Sequence, residues 1–93
     1  MTSGELIATG EDAVKIAEVL TASNFRILQL LSVERLDVST IALRLKLSEA
    51  YVSEQISLLH ESELIKVSYE PGKRGTRKIC QTVIGRIVLV IKP

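Results

Sequence analysis

From residue 10 to about residue 64, apolar positions recur at intervals of three and four; from Ile65 onward the interval falls to two. The first stretch predicts helices and the second predicts strands. TGEDAVKIAEVL sets Thr9 three residues before Asp12, a capping arrangement, and places Val14, Ala17 and Leu20, or Ile16 and Leu20, on one side of a helix over about 10–20. Ser23 or Asn24 is placed to cap a second helix, in which Phe25, Ile27, Leu28, Leu30 and Leu31 form a wide buried face while Arg26 and Gln29 point outward. Ser39 caps a short third helix, TIALRLKL, with Ile41, Ala42 and Leu45 inward and Arg44 and Lys46 outward. Leu47 and Ser48 form a break, and Ser48 caps a longer helix over about 49–62. Its inward set is Val52, Ile56 and Leu59, which leaves Ala50, Tyr51, Ser53, Glu54, Gln55 and Ser57 on the exposed arcs.

IKVSYE then alternates, with Ile65, Val67 and Tyr69 on one face and Lys66, Ser68 and Glu70 on the other. Pro71 and Gly72 start a turn, Gly75 permits a positive φ within it, and TRKICQT resumes extended structure. Residues 65–82 therefore read as a β-hairpin, with EPGKRGTRK at its tip. The last segment, VIGRIVLVIKP, is rich in β-branched residues, which favours a strand, while its terminal position suits a helix. Either form is too apolar to be left in water and should pack on the first helix or on a second subunit.

At 93 residues the chain makes one small domain, of a size at which dimerisation often supplies missing burial. Residues 1–9 read as a flexible leader and 10–93 as the domain. The longest apolar run, IVLVI, is too short to cross a bilayer, and Met1 is followed by no secretory pattern, so a cytoplasmic protein is expected. A lone cysteine, Cys80, cannot form an internal disulfide; it reads as a small hydrophobe of the strand, with an intersubunit disulfide as the alternative.

Charge changes the picture more than composition does. The whole chain carries +1, yet residues 1–65 hold five cations against ten acids and residues 66–93 hold seven cations against Glu70 alone. Four of those seven, Lys73, Arg74, Arg77 and Lys78, lie in the hairpin tip. Such asymmetry points to a polyanionic partner for one end.

Three helices followed by a hairpin with a basic tip, from Leu20 to Gly85, resemble the winged helix-turn-helix of ArsR-like and MarR-like DNA-binding regulators, the small archaeal type above all. LTASNFRILQLL and VSTIALRLKLSEAYVSEQISLLHESELI carry the likeness, and QTVIGRI is similar to the segment that opens the family's last helix, which commonly makes the dimer interface. The resemblance implies a mainly α fold with a small β-hairpin (α+β), a recognition helix at about 49–62, a wing at about 65–82 and a helical dimerisation segment at about 83–93. Val83, Ile87, Val90 and Ile91 would form that interface. Glu63 stands where the family usually turns with glycine, which puts strain at the exit from the fourth helix.

What this implies chemically is a homodimer on double-stranded DNA, acting as a transcriptional regulator or chromatin-associated factor. Ser48, Ala50, Tyr51, Ser53, Glu54 and Gln55 would face the major groove, with Gln55 suited to adenine. Lys73, Arg74, Thr76, Arg77 and Lys78 of the wing would meet phosphates, with Arg44 and Lys46 as further contacts. Glu49, Glu54, Glu61 and Glu63 make the recognition helix acidic, so the rival reading is a winged-helix module that binds a protein. Three aromatic rings are too few for a single-strand stacking surface. One His and one Cys assemble neither a zinc site nor a catalytic triad, and the cysteine pair of metal-sensing arsenic repressors is lacking. No enzyme, cofactor, small-molecule effector or membrane is expected.

Overall fold

The computed structural model describes residues 4–92, ordered as β1 (Gly4–Ala8), α1 (Gly10–Val19), α2 (Ala22–Val33), β2 (Leu36–Asp37), α3 (Val38–Leu45), α4 (Glu49–Glu61), β3 (Ile65–Gly72), β4 (Gly75–Thr82) and β5 (Ile84–Leu89). The core is where the helices converge. Ile27 and Leu31 of α2, Ile41 of α3, and Val52, Ile56 and Leu59 of α4 are all but sealed from solvent, as their spacing requires. Leu64 and Cys80 join them from the sheet side, so helices and hairpin share one interior. The fold class is the expected α+β winged helix-turn-helix.

Several local expectations give way to neighbours the pattern did not reveal. The second helix is capped two residues earlier than Ser23, by Thr21, whose hydroxyl accepts from the Asn24 N–H at 3.2 Å. Asn24 thereby falls inside the helix, on the buried face with Ile27, Leu28 and Leu31, and Phe25, about 100° further round, is left about half exposed rather than buried. Asp37, not Ser39, caps α3, because the short strand β2 delivers its carboxylate to the Thr40 N–H at 3.0 Å. Ser48 does cap α4, accepting from the Tyr51 N–H at 3.1 Å.

The largest corrections concern the two ends. Gly4–Ala8, expected as part of a flexible leader, is a strand, and Ile84–Leu89, where the resemblance implied a helix, is its parallel partner. The physical reason is mutual. The β-branched and apolar residues of Ile84–Leu89 favour extended structure, and they become a strand once LIA of β1 supplies the ladder. Ile87 consequently turns into its own chain's core with Leu6, Ile84 and Leu89, which takes it off the predicted dimer face.

Candidate nucleic-acid interface

The helix-turn-helix depends on one backbone reversal. Lys46 adopts the left-handed conformation (φ 58°, ψ 45°) after α3, and the Leu47 N–H donates to the Ala42 carbonyl at 2.9 Å, closing the helix end. Leu47 tucks against the core, and Ser48 at once begins α4. This fixes which side of α4 faces outward: Ala50, Tyr51, Ser53 and Glu54 are exposed on its first two turns.

Gln55 is the exception among the predicted base contacts. It is only 7% exposed, and its Oε1 accepts from Asn24 Nδ2 at 2.9 Å, while the same amide donates to the Val19 carbonyl at 2.7 Å. Gln55 is thus a polar link between α4 and the α1–α2 junction and not a probe for adenine. The spacing of Val52, Ile56 and Leu59 leaves position 55 on the margin of the buried face, so only the three-dimensional placement of Asn24 decides it.

The acidity of α4 is also less of an obstacle than its composition implies. Glu61 and Glu63 line a surface hollow with Leu6, Ile7, Asp12 and Lys15, at the α1–β1 side. That is about 18 Å along the helix axis from Glu49. Glu49 itself accepts from the Ser39 hydroxyl at 2.6 Å, which leaves Glu54 as the carboxylate among the outward residues of the first two turns.

Glu63, between α4 and β3, takes φ 61°, the strained glycine-like turn its position implied. The hairpin then runs antiparallel from the Ile65–Thr82 pair to the Gly72–Gly75 pair, a reach of about 23 Å. Its root is anchored by buried Leu64 and Ile65 and by Thr82, whose hydroxyl donates to the Leu28 carbonyl at 2.8 Å. Lys73 and Arg74 form the two-residue turn, followed by Gly75 at φ 108°. Gly72 has no room for a side chain because the Arg77 stem lies over it. Tyr69, on the strand face that begins with buried Ile65, is well exposed because the hairpin has by then left the core.

Two ion pairs of opposite polarity hold the hairpin at one rung. Glu70 and Arg77 face each other across β3 and β4; Glu70 pairs with Arg35 and Arg77 with Asp37, two residues apart around β2. Arg77 reaches one Asp37 oxygen with Nη2 at 3.0 Å and Nε at 3.2 Å. The other oxygen caps α3, so a single carboxylate couples the helix-turn-helix to the wing. Hydrogen bonds from Thr40, and then the Arg77 charge, hold the Asp37 carboxyl below its ordinary 3.8 against the opposing effect of burial. Arg77 therefore serves the wing's placement rather than standing free for phosphate. Arg44, likewise expected at phosphate, makes a two-pronged pair with Glu34 at 2.9 and 3.4 Å. Lys73, Arg74, Thr76 and Lys46 are exposed, while Lys78 is half-buried.

Cys80 is sealed in the centre of the three-stranded sheet, between β2 and β3, and burial pushes its thiol upward; it packs as the small hydrophobe that its sequence context suggested. Of the expected dimer contacts, Val83 is 40% and Ile91 97% exposed, and Val90 is half-buried.

The backbone fold is shared with solved structures. No family model and no curated protein sequence matches the chain. Solved structures do match: a "possible transcriptional regulator" from Methanosarcina mazei Go1 is 24% identical over 77% of this chain and 63% of its own, with a TM-score of 0.64. ZitR from Lactococcus lactis, determined in complex with DNA, is 32% identical over 68% of this chain and 42% of its own, with a TM-score of 0.59. The homodimeric winged helix-turn-helix DNA-binding domain of Mb0332 from Mycobacterium bovis, described as a possible ArsR-family regulator, is 19% identical over 78% of this chain and 65% of its own, with a TM-score of 0.68. The chain spans less than two thirds of the length of each. Its fold is the winged helix-turn-helix that these structures share.

Proposed function

We propose that the protein is a transcriptional regulator that binds duplex DNA as a homodimer in the cytoplasm, without catalysis. The observation that carries the reading is the joint presentation of a capped α4 with Ala50, Tyr51, Ser53 and Glu54 outward and a braced wing ending in Lys73 and Arg74. The first four residues would address base edges, with Glu54 able to accept from a cytosine amino group and Ser48 and Ser53 able to reach phosphate. The two wing-tip cations would neutralise backbone phosphates, with Lys46 as a further contact at the helix-turn-helix turn. The likeness to ZitR, whose structure includes DNA, and to the homodimeric Mb0332 domain supports both partners.

Fluorescence anisotropy of a labelled duplex across salt concentrations tests this. Replacing Lys73 and Arg74 with alanine should flatten the log–log salt slope by about 1.8, at about 0.9 for each lost phosphate contact. Binding by the wild type that is absent even at low salt would refute the reading.

A further inference from the structure

The parallel pair β1–β5 is a two-stranded sheet with an apolar residue set on each face. Leu6, Ala8, Ile84, Ile87 and Leu89 pack on the core. The alternation of each strand sends Glu5 and Ile7, and Arg86 and Val88, to the other side. There Ile7 is 58% exposed, while Val88 and, just past the strand, Val90 are half-buried without belonging to the core. Parallel sheets are ordinarily covered on both faces, because their strands are apolar on both. On this face Ile7 stays largely exposed, at the rim of the hollow it shares with Glu61 and Glu63.

The chemistry of the face identifies what fits it. Across the two strands the register sets Glu5 beside Arg86 and Ile7 beside Val88, and Glu5 and Arg86 form an ion pair at 3.1 Å. Rotated by a two-fold axis running along the strands, a second copy would lay its β5 over β1 and its β1 over β5. Glu5 of one protomer would then meet the partner's Arg86, and Ile7 the partner's Val88. The pattern is complementary to itself in both charge and apolarity, which is the requirement of an isologous interface. We infer that this outer face is the surface on which two copies of the chain associate, sheet against sheet. The inference rests on the homodimer reading above and specifies its contact: a stacked sheet instead of a pair of terminal helices.

Sedimentation equilibrium of the full chain tests it with a charge-reversal exchange. Glu5→Arg alone and Arg86→Glu alone each place like charges across the two-fold, and each should raise the dimer Kd about tenfold. An equimolar mixture of the two variants restores opposite charges at both contacts, so the mixed dimer should form with roughly wild-type affinity. The intramolecular pair stays broken in both chains of the mixture, so only an intermolecular contact produces that rescue. Val88→Lys should raise the Kd by about a hundredfold or more while the far-UV circular dichroism stays unchanged. A wild type that is monomeric at about 100 µM, a Kd weaker than about −5 kcal/mol of association, overturns the homodimer reading itself. A wild-type dimer that is indifferent to Val88→Lys, or a mixture no tighter than its components, overturns the sheet face and leaves dimerisation to another surface.

Discussion

β3 and β4 run antiparallel, alternate between apolar and polar residues near their root, and carry two cations at the far end; β1 and β5 run parallel and are apolar on both faces. Each pair departs from the helical core in its own way. The first reaches beyond it and is stiffened by charge pairs that water can approach, whereas the second lies on it through Leu6, Ala8, Ile84, Ile87 and Leu89 and keeps its one ion pair, Glu5–Arg86, on the opposite face. The difference fits the two partners proposed above: a strand pair that ends in solvated cations suits a polyanion, and one with apolar residues on a second face suits another apolar surface.

Three perturbations sharpen that contrast. Leu64→Ala, at the sealed root of the wing, should cost about 2–5 kcal/mol in urea unfolding, whereas Val88→Ala, measured where the protein is monomeric, should cost less than about 1 kcal/mol. Comparable losses at the two sites would mean that the outer face of β1–β5 is already covered within one chain. Next in size, Asp37→Ala removes both the α3 cap and the hold on Arg77 and should cost about 1–2 kcal/mol, while Asp37→Asn keeps a capping oxygen and should cost less. Because the folded carboxyl titrates below 3.8, its contribution is complete above that value and is lost as pH falls through the lower, folded one. The gap between wild type and Asp37→Asn should therefore narrow as pH falls below 3.8; a gap that does not change with acidification would refute the assignment. The smallest effect lies where the two pairs meet, at Glu63 beside Leu6 and Ile7. Glu63→Gly should relieve its positive φ and raise stability by about 0.5–1 kcal/mol in thermal unfolding.

The helix-turn-helix was legible because its signals are local. The spacing of Val52, Ile56 and Leu59 and the serine at 48 suffice to orient α4, and the excess of cations at 73–78 marks the wing tip. The β1–β5 pair was not, because a parallel ladder joins residues 80 or 81 positions apart, and neither strand declares itself without the other. Asn24 and Gln55 were misread, and Asp37 was passed over in favour of Ser39, for a related reason: each is a polar residue whose role includes a partner from another element, Gln55 for Asn24 and Arg77 for Asp37. Among the predicted contacts, those on the outer side of α4 and at the hairpin tip, Ala50, Tyr51, Ser53, Glu54, Lys73 and Arg74 among them, are exposed as expected because their exposure depends on their own helix or turn.

The double ion pair at the Glu70–Arg77 rung also has a mechanical meaning. A hairpin gripped only at its root is a lever about 23 Å long, and a rock of about 5° there would sweep Lys73 and Arg74 through about 2 Å, the difference between a direct phosphate contact and a water-filled gap. Gripped instead at that rung, two residues from the turn, the free arm is about 7 Å and the same rock displaces the tip by about 0.6 Å. Arg35 and Asp37 move the fulcrum outward, and the wing's aim is set there rather than at its base.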